Sequence, residues 1–131
     1  MSQDHVQEFL ALKHFAVFGA SDREHDMGHQ VLKRIASSGR KAYPVNPRIA
    51  RIGPMLCYGT LDEIPVLPQV VVVALPPGPA LEVLKSAFLH GVKRFWMQPG
   101  SESGAALTFI SDNGLTAVCE HCLCEELEKS A

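Results

Sequence analysis

The chain has 131 residues, of which 47% are hydrophobic and 20% charged, and its formal net charge is -2. This length suits one packed domain over residues 1–131 and leaves no room for a separate substrate domain. The near-neutral charge gives no support for the basic face that nucleic-acid binding requires, so we expect no nucleic-acid partner. Because no secretory leader and no membrane-spanning apolar run is present, we expect a cytoplasmic protein without a membrane partner.

Strands and helices alternate along the chain, beginning with a leader helix predicted within residues 1–13. An apolar run then predicts the first strand at residues 14–18. Residues 27–38 have the apolar spacing of a helix, and Asp26 stands at the N-cap position before it. Residues 41–45 predict a second strand, whose proline restricts it to the edge of a sheet or the end of a strand.

The second half of the chain continues the alternation after an irregular excursion at residues 48–58 and one helical turn at residues 61–64. Four consecutive valines then indicate a strand buried on both faces. The remaining predicted elements are a strand at 69–75, a helix that includes Pro79 and stops at Gly91, a strand at 94–97, a helix at 103–113, a strand at 115–119 and a helical segment at 122–131. The pattern predicts an α/β fold: a three-layer, Rossmann-like, doubly wound and mostly parallel five-stranded sheet.

Ligands of such sheets bind outside the carboxyl ends of the strands, where the strand order reverses. Four predicted strands end in glycine, proline or small polar residues, and their turns would gather along one rim. These turns are Gly19-Ala20-Ser21, Asn46-Pro47, Pro76-Pro77-Gly78 and Gln98-Pro99-Gly100. We therefore predict that the ligand site lies at this rim.

The turn after the first strand can hold a phosphate, because small residues let backbone N–H groups approach an anion closely. Ser21 adds a hydroxyl donor. The turn departs from the G-x-G-x-x-G pattern, since Ser21 and Glu24 stand where the second and third glycines would be. An ordinary strand-to-helix turn without a ligand is the alternative interpretation.

The second strand is not followed by the acidic residue that binds the ribose hydroxyl groups of NAD. Asn46-Pro47-Arg48 stands there instead, with Arg51 beyond it. A neutral amide and two cations suit a nucleotide with an additional ribose phosphate, as in NADP or coenzyme A. Alternatively, both arginines are solvated loop charges.

The two later turns each have two interpretations. Pro76-Pro77-Gly78 and Gln98-Pro99-Gly100 either line the ligand or only end their strands. Gln98 is the candidate contact of the second turn, because its amide can both donate and accept hydrogen bonds.

Three cysteines and a histidine lie close together near the C-terminus, at Cys119, His121, Cys122 and Cys124. They could bind zinc, but the four ligands of a structural zinc site usually come from two separated pairs, and the sequence has no second pair apart from the lone Cys57. The alternatives are buried structural thiols and a redox role for Cys122. The sequence also lacks the signatures of serine hydrolases and zinc proteases, so we assign no catalytic and no metal-binding residue.

These motifs in this order resemble the family of small single-domain CoA-binding proteins and the CoA-binding domain of the succinyl-CoA synthetase alpha subunit. The resemblance runs from His14 to Cys122 and is carried by Ala16-Val17-Phe18-Gly19-Ala20-Ser21-Asp22, Tyr43-Pro44-Val45-Asn46-Pro47, Val71-Val72-Val73-Ala74-Leu75-Pro76 and Phe95-Trp96-Met97-Gln98-Pro99-Gly100. It implies a Rossmann-like fold with coenzyme A bound at the rim.

The resemblance also implies a role for each group of rim residues. Those expected at the pyrophosphate are Gly19, Ala20 and Ser21, and those expected at the adenosine and its ribose phosphate are Asn46, Pro47 and Arg48. Those expected beside the nucleotide or the pantetheine are Leu75, Pro76 and Pro77, with Gln98 and Pro99 further along the groove. We also expect the pantetheine thiol to approach Cys122, where it permits a mixed disulfide.

The sequence therefore predicts a protein that binds coenzyme A or an acyl-CoA as a non-catalytic sensor, carrier or regulator. The ATP-binding domain and the phosphohistidine loop of the ligase have no counterpart in it. The alternatives are an NADP-binding oxidoreductase or redox sensor, and an interaction module with a vestigial nucleotide site. A homodimer or a protein partner is compatible with the predicted sheet.

Overall fold

The computed structural model describes residues 2–129, and the side chains of residues 5–129. Within this part the strands are β1 (His14–Phe18), β2 (Lys41–Val45), β3 (Arg51–Ile52), β4 (Met55–Leu56), β5 (Val70–Val73), β6 (Arg94–Met97) and β7 (Thr116–Val118). The helices are α1 (Ser2–Leu10), α2 (Met27–Ser37), α3 (Pro77–Leu89), α4 (Gly104–Asp112) and α5 (Leu123–Lys129). A 3-10 turn covers Leu61–Glu63. The outer ends of the two predicted terminal segments, residue 1 and residues 130–131, lie outside the described residues.

Five strands form one parallel sheet in the order β2-β1-β5-β6-β7. The predicted fold class is therefore confirmed. Strand β2 lies at the edge, as its proline required, because a residue without an N–H cannot complete a ladder on both sides. The chain moves outward from β1 to β2 and then returns to place β5 on the other side of β1, so the strand order reverses between β1 and β5.

Helices cover both faces of the sheet, and each face has its own apolar core. One core joins α1, α2 and α5 to side chains such as Val70 and Val72, and the other joins α3 and α4 to Val71 and Val73. All four valines of β5 are fully buried. This central position explains why the strand is apolar at every residue rather than at alternate ones.

Three local features differ from the sequence predictions. Residues 51–56 form a short antiparallel hairpin of β3 and β4, where the sequence indicated only an irregular excursion. The leader helix ends at Leu10, before residue 13. Asp26 occupies the N-cap position of α2, but its side chain makes no capping hydrogen bond to the helix.

None of the helices within residues 2–129 combines the length and the apolar character that crossing a bilayer requires.

Candidate functional site

The carboxyl ends of β1, β2, β5 and β6 meet at one edge of the sheet, as parallel strands require. We call residues 19–21, 46–48, 75–77 and 98–99, which contain the predicted ligand contacts, the rim site. A cavity of about 350 Å³ opens at this edge. Its lining comes from the start of α2 and the ends of β5 and β6, and consists of Met27, Ala74, Leu75, Pro76, Pro77, Gln98, Pro99, Gly100 and Ser101.

Two glycines shape the turn that follows β1. Gly19 has a φ of +89°, and a Cβ on it would overlap the Ala74 carbonyl oxygen at the end of β5. Gly28, in the first turn of α2, lies so close to Gly19 that a Cβ would overlap the Gly19 carbonyl oxygen. The helix can therefore begin directly against the end of the strand. This role of Gly28 was not predicted from the sequence, although a second glycine nine residues after Gly19 was a visible signal.

The peptide groups of the same turn present unused donors. Ala20 is fully buried, yet neither its N–H nor that of Ser21 donates a hydrogen bond to another group in the described part of the chain. Buried backbone donors nearly always have a partner. Successive free N–H groups beside a glycine of positive φ form a concave site for an anion.

Asn46 holds this turn in place from the end of β2. Its Nδ2 donates to the Ala20 carbonyl oxygen at 2.9 Å, and its Oδ1 accepts from the Arg48 N–H at 2.9 Å. Its backbone N–H donates to the Tyr58 carbonyl oxygen, also at 2.9 Å. The Asn46 side chain therefore links the ends of β1 and β2, and whether it also contacts a ligand stays a prediction.

The Ser21 hydroxyl group already has partners inside the loop. It donates to Asp26 Oδ2 at 2.7 Å and accepts from the Arg23 N–H at 3.0 Å. This bond is why Asp26 does not cap α2. His29 Nδ1 donates to the Ser21 carbonyl oxygen at 2.9 Å and fixes the loop from the other side. A phosphate could therefore accept a hydrogen bond from the Ser21 N–H directly. It could accept one from the Ser21 hydroxyl group only if that group gave up its bond to Asp26.

The end of β2 provides exposed positive charge. Arg48 and Arg51 are both exposed, and neither forms an ion pair with a side chain of residues 5–129. Pro47 beside them is also exposed. The geometry therefore leaves two cations free for an anionic group beyond the Gly19 turn.

Gln98 forms the floor of the cavity and is only 1% exposed. Its Oε1 accepts from the Leu123 N–H at 2.8 Å, and its Nε2 lies 3.1 Å from Met27 Sδ and 3.5 Å from Cys122 Sγ. These bonds link the end of β6 to α2 and to the start of α5. The structure thus places Gln98 at the site but with its amide already in use, and its contact with a ligand stays a prediction.

The thiols near the C-terminus differ in their surroundings. Burial, together with the charge of Cys122, raises the pKa of Cys124 to about 11. Burial and the neighbouring carboxylates of Glu102 and Glu120 raise the pKa of Cys119. Glu120 has a φ of +69°, a conformation that among the described residues only glycines otherwise adopt. Among the side chains of residues 5–129, no group of three or more histidine, cysteine, aspartate or glutamate residues is placed to hold a metal ion.

A larger cavity, of about 480 Å³, lies between α2 and α5 and reaches Glu24 in the loop after β1. Its lining is mostly polar, and its Arg34 is paired with Glu128 of α5. We favour the smaller cavity as the ligand site, because it joins the ends of two strands to the first residue of α2.

Comparison with known proteins gives a consistent result. A family model described as CoA binding domain matches residues 13–128. The chain is 28% identical over 81 residues to an ADP-forming acetate–CoA ligase of Methanocaldococcus jannaschii, a match that covers 62% of this chain and 12% of the ligase. The chain therefore spans a small part of the length of that relative.

Solved structures include relatives of the same size and of larger size. A conserved hypothetical protein from Pyrococcus furiosus is 33% identical, with a TM-score of 0.83 over 88% of this chain and 99% of that one. An apo dinucleotide-forming acetyl-coenzyme A synthetase from Ca. Korarchaeum cryptofilum is 25% identical, with a TM-score of 0.68 over 79% of this chain and 25% of that one.

Proposed function

The chain belongs to the family of CoA-binding domains, and on this premise we propose that it binds coenzyme A or an acyl-CoA at the rim site. The observation that carries the proposal is the junction at Gly19. There a turn with two unused N–H groups lies directly against the end of β5, which lines the 350 Å³ cavity. An anion site beside a largely apolar groove suits a molecule with a pyrophosphate at its centre and a pantetheine arm.

Each part of coenzyme A has a counterpart at the rim site. The pyrophosphate would accept hydrogen bonds from the Ala20 and Ser21 N–H groups, where backbone dipoles favour negative charge. The ribose phosphate would lie near Arg48 and Arg51, the exposed cations beyond β2. The pantetheine arm would follow the apolar lining from Leu75 towards Gln98.

We propose a role as a sensor, carrier or regulatory protein for coenzyme A or its thioesters. The matched region makes up only 12% of the acetate–CoA ligase and 25% of the acetyl-CoA synthetase. Their activities therefore belong to those proteins, and what this chain shares with them is the CoA-binding region. A cytoplasmic single-domain protein, alone or as a homodimer, is the form in which we expect it to act.

Isothermal titration calorimetry with CoA, acetyl-CoA, NADP and NAD tests the proposal. We expect CoA to bind at least about tenfold more tightly than NADP, which corresponds to about 1.4 kcal/mol. Tighter binding of NADP would instead support a nicotinamide-dependent oxidoreductase or redox sensor. A lack of binding to all four compounds would support an interaction module and refute the proposal.

A matched pair of variants locates the site. Pro76→Glu places a negative charge in the cavity, and at the N-cap of α3 an acidic side chain is favourable for the helix. Leu89→Glu places the same charge at the far end of α3, where the side chain is 82% exposed. Pro76→Glu should weaken CoA binding and Leu89→Glu should leave it unchanged. Equal affinities in the two variants would exclude the cavity as the site.

A further inference from the structure

A buried amide connects the cavity of the rim site to a cysteine that the proposed binding mode does not use. Gln98 lines the cavity, and its Nε2 donates to Cys122 Sγ at 3.5 Å. Cys122 itself is partly exposed. The cavity and Cys122 are therefore separated by the thickness of one side chain.

The orientation of that amide is fixed. Because the Leu123 N–H needs an acceptor, the oxygen of Gln98 must face it, and at 2.8 Å the bond is well formed. The NH₂ group is thereby directed at the sulfurs of Cys122 and Met27. Its two hydrogens match the two sulfurs, and an N–H donor complements the negative charge of a thiolate.

Met27 marks the position that a ligand sulfur would take. Its thioether contacts the same nitrogen as Cys122, at 3.1 Å, and its side chain is 40% exposed and lines the cavity. An unbranched side chain of this kind moves aside at little cost. A sulfur-bearing arm that replaced Met27 on this nitrogen would lie beside Cys122.

We propose that Cys122 undergoes thiol–disulfide exchange with CoA disulfide, one CoA unit of which occupies the rim site. Gln98 is the positioning residue for the Cys122 sulfur. The Cys122 thiolate attacks one sulfur of CoA disulfide, and the new S–S bond joins Cys122 to one CoA. The original S–S bond breaks, and the second CoA leaves as a thiolate that takes a proton from water. No other oxidant is required, since the disulfide supplies the oxidising equivalents.

The neighbouring cysteine does not reverse this step. Burial raises the pKa of Cys124 and still acts when Cys122 is in the mixed disulfide, so at neutral pH the Cys124 thiol is mostly protonated and attacks the mixed disulfide slowly. The adduct on Cys122 therefore persists until an external thiol removes it.

Intact-protein and peptide mass spectrometry of the full chain with CoA disulfide tests the proposal. We expect one reductant-sensitive CoA adduct, located on Cys122, absent in Cys122→Ser and retained in Cys124→Ser. Its rate should exceed that with hydroxyethyl disulfide by at least about tenfold, because the rim site positions the reagent. An adduct on another cysteine, equal rates with the two reagents, or no adduct would overturn it.

The proposal rests on CoA binding at the rim site, and a second measurement separates the two. Calorimetry of Cys122→Ser with reduced CoA reports reversible binding alone. If CoA binds but wild-type protein forms no adduct, the exchange site is refuted and the proposed function stands. If CoA does not bind, both are refuted.

Gln98→Glu tests the positioning role. The variant keeps an oxygen for the Leu123 N–H but replaces the donor beside Cys122 with a carboxylate oxygen. We expect it to slow the reaction of Cys122 with hydroxyethyl disulfide as well as with CoA disulfide, by about tenfold in each case. Hydroxyethyl disulfide does not use the rim site, so a loss of CoA binding alone would slow only the reaction with CoA disulfide. That outcome would refute the role of Gln98.

Discussion

Replacing Gly19 by alanine tests whether the junction of β1 and β5 builds the site. An alanine there has two costs. It must adopt a φ of +89°, which for a residue with a Cβ costs about 1–2 kcal/mol. Its Cβ would also overlap the Ala74 carbonyl oxygen, and overpacking against backbone costs about 1–3 kcal/mol more. We therefore expect Gly19→Ala to lower the free energy of unfolding by about 2–5 kcal/mol in total.

Gly39 is the matched control for this substitution. It has the same φ of +89°, but a Cβ on it would have no atom within 4 Å. Gly39→Ala therefore carries the conformational cost of about 1–2 kcal/mol without the overlap. The difference between the two variants measures the contact at the junction.

Urea denaturation of both variants, followed by calorimetry with CoA, completes the test. Gly19→Ala should be the less stable by at least about 1 kcal/mol. It should also bind CoA at least about tenfold more weakly, because the Ala20 and Ser21 N–H groups would be displaced. Gly39→Ala should bind CoA normally. Equal stabilities and equal CoA affinities would refute the reasoning.

Three further predictions concern polar and ionisable side chains. Asn46→Ala removes the hydrogen bonds of this side chain to the Ala20 carbonyl oxygen and from the Arg48 N–H. The free energy of unfolding from urea denaturation should therefore fall by about 1–3 kcal/mol, at about 0.5–1.5 kcal/mol for each bond, and CoA binding measured by calorimetry should weaken. An unchanged CoA affinity would show that the turn needs no such link. The double variant Arg48→Ala/Arg51→Ala should lower the ratio of the affinities for CoA and 3′-dephospho-CoA, measured by calorimetry. We expect a decrease of about twofold to fivefold, since exposed charges contribute little. An unchanged ratio would place the ribose phosphate elsewhere. The rate of alkylation of Cys124 by iodoacetamide should still rise between pH 9 and pH 11, because the thiolate is the reactive form and the pKa of Cys124 is about 11. A rate that is already constant above pH 9 would contradict the burial of this thiol.

The fold could be predicted from the sequence largely because its strands are short apolar runs between turn residues. The bounds of β1, β2 and β6 match the prediction, and the valines of β5 indicated its central position. The hairpin of β3 and β4 could not be predicted, because strands of two residues carry no periodic pattern. Its position depends instead on packing against the rest of the chain.

The place of the candidate site is a prediction from topology, whereas the contacts that the structure shows there could not be predicted. Parallel strands bring their carboxyl ends together, so the rim was predictable from the order of elements alone. The close approach of Gly28 to Gly19 and the Asn46 bond to Ala20 join residues that are distant in sequence. The sequence identified Gln98 as a candidate ligand contact but could not show that its amide is buried and directed at two sulfurs.

The measurement that tests the central claim most directly is a titration of ¹⁵N-labelled protein with reduced CoA, followed by amide chemical shifts. We predict that the amides of residues 19–21 shift together with those of Leu75, Gln98, Gly100 and Ser101 and saturate with one affinity. The last four line the cavity, and Gly19 adjoins it at Ala74. Amides of residues 30–37, which border the larger cavity between α2 and α5, should not move with them. Shifts confined to residues 30–37, or a spectrum that CoA leaves unchanged, would contradict the assignment of the rim site.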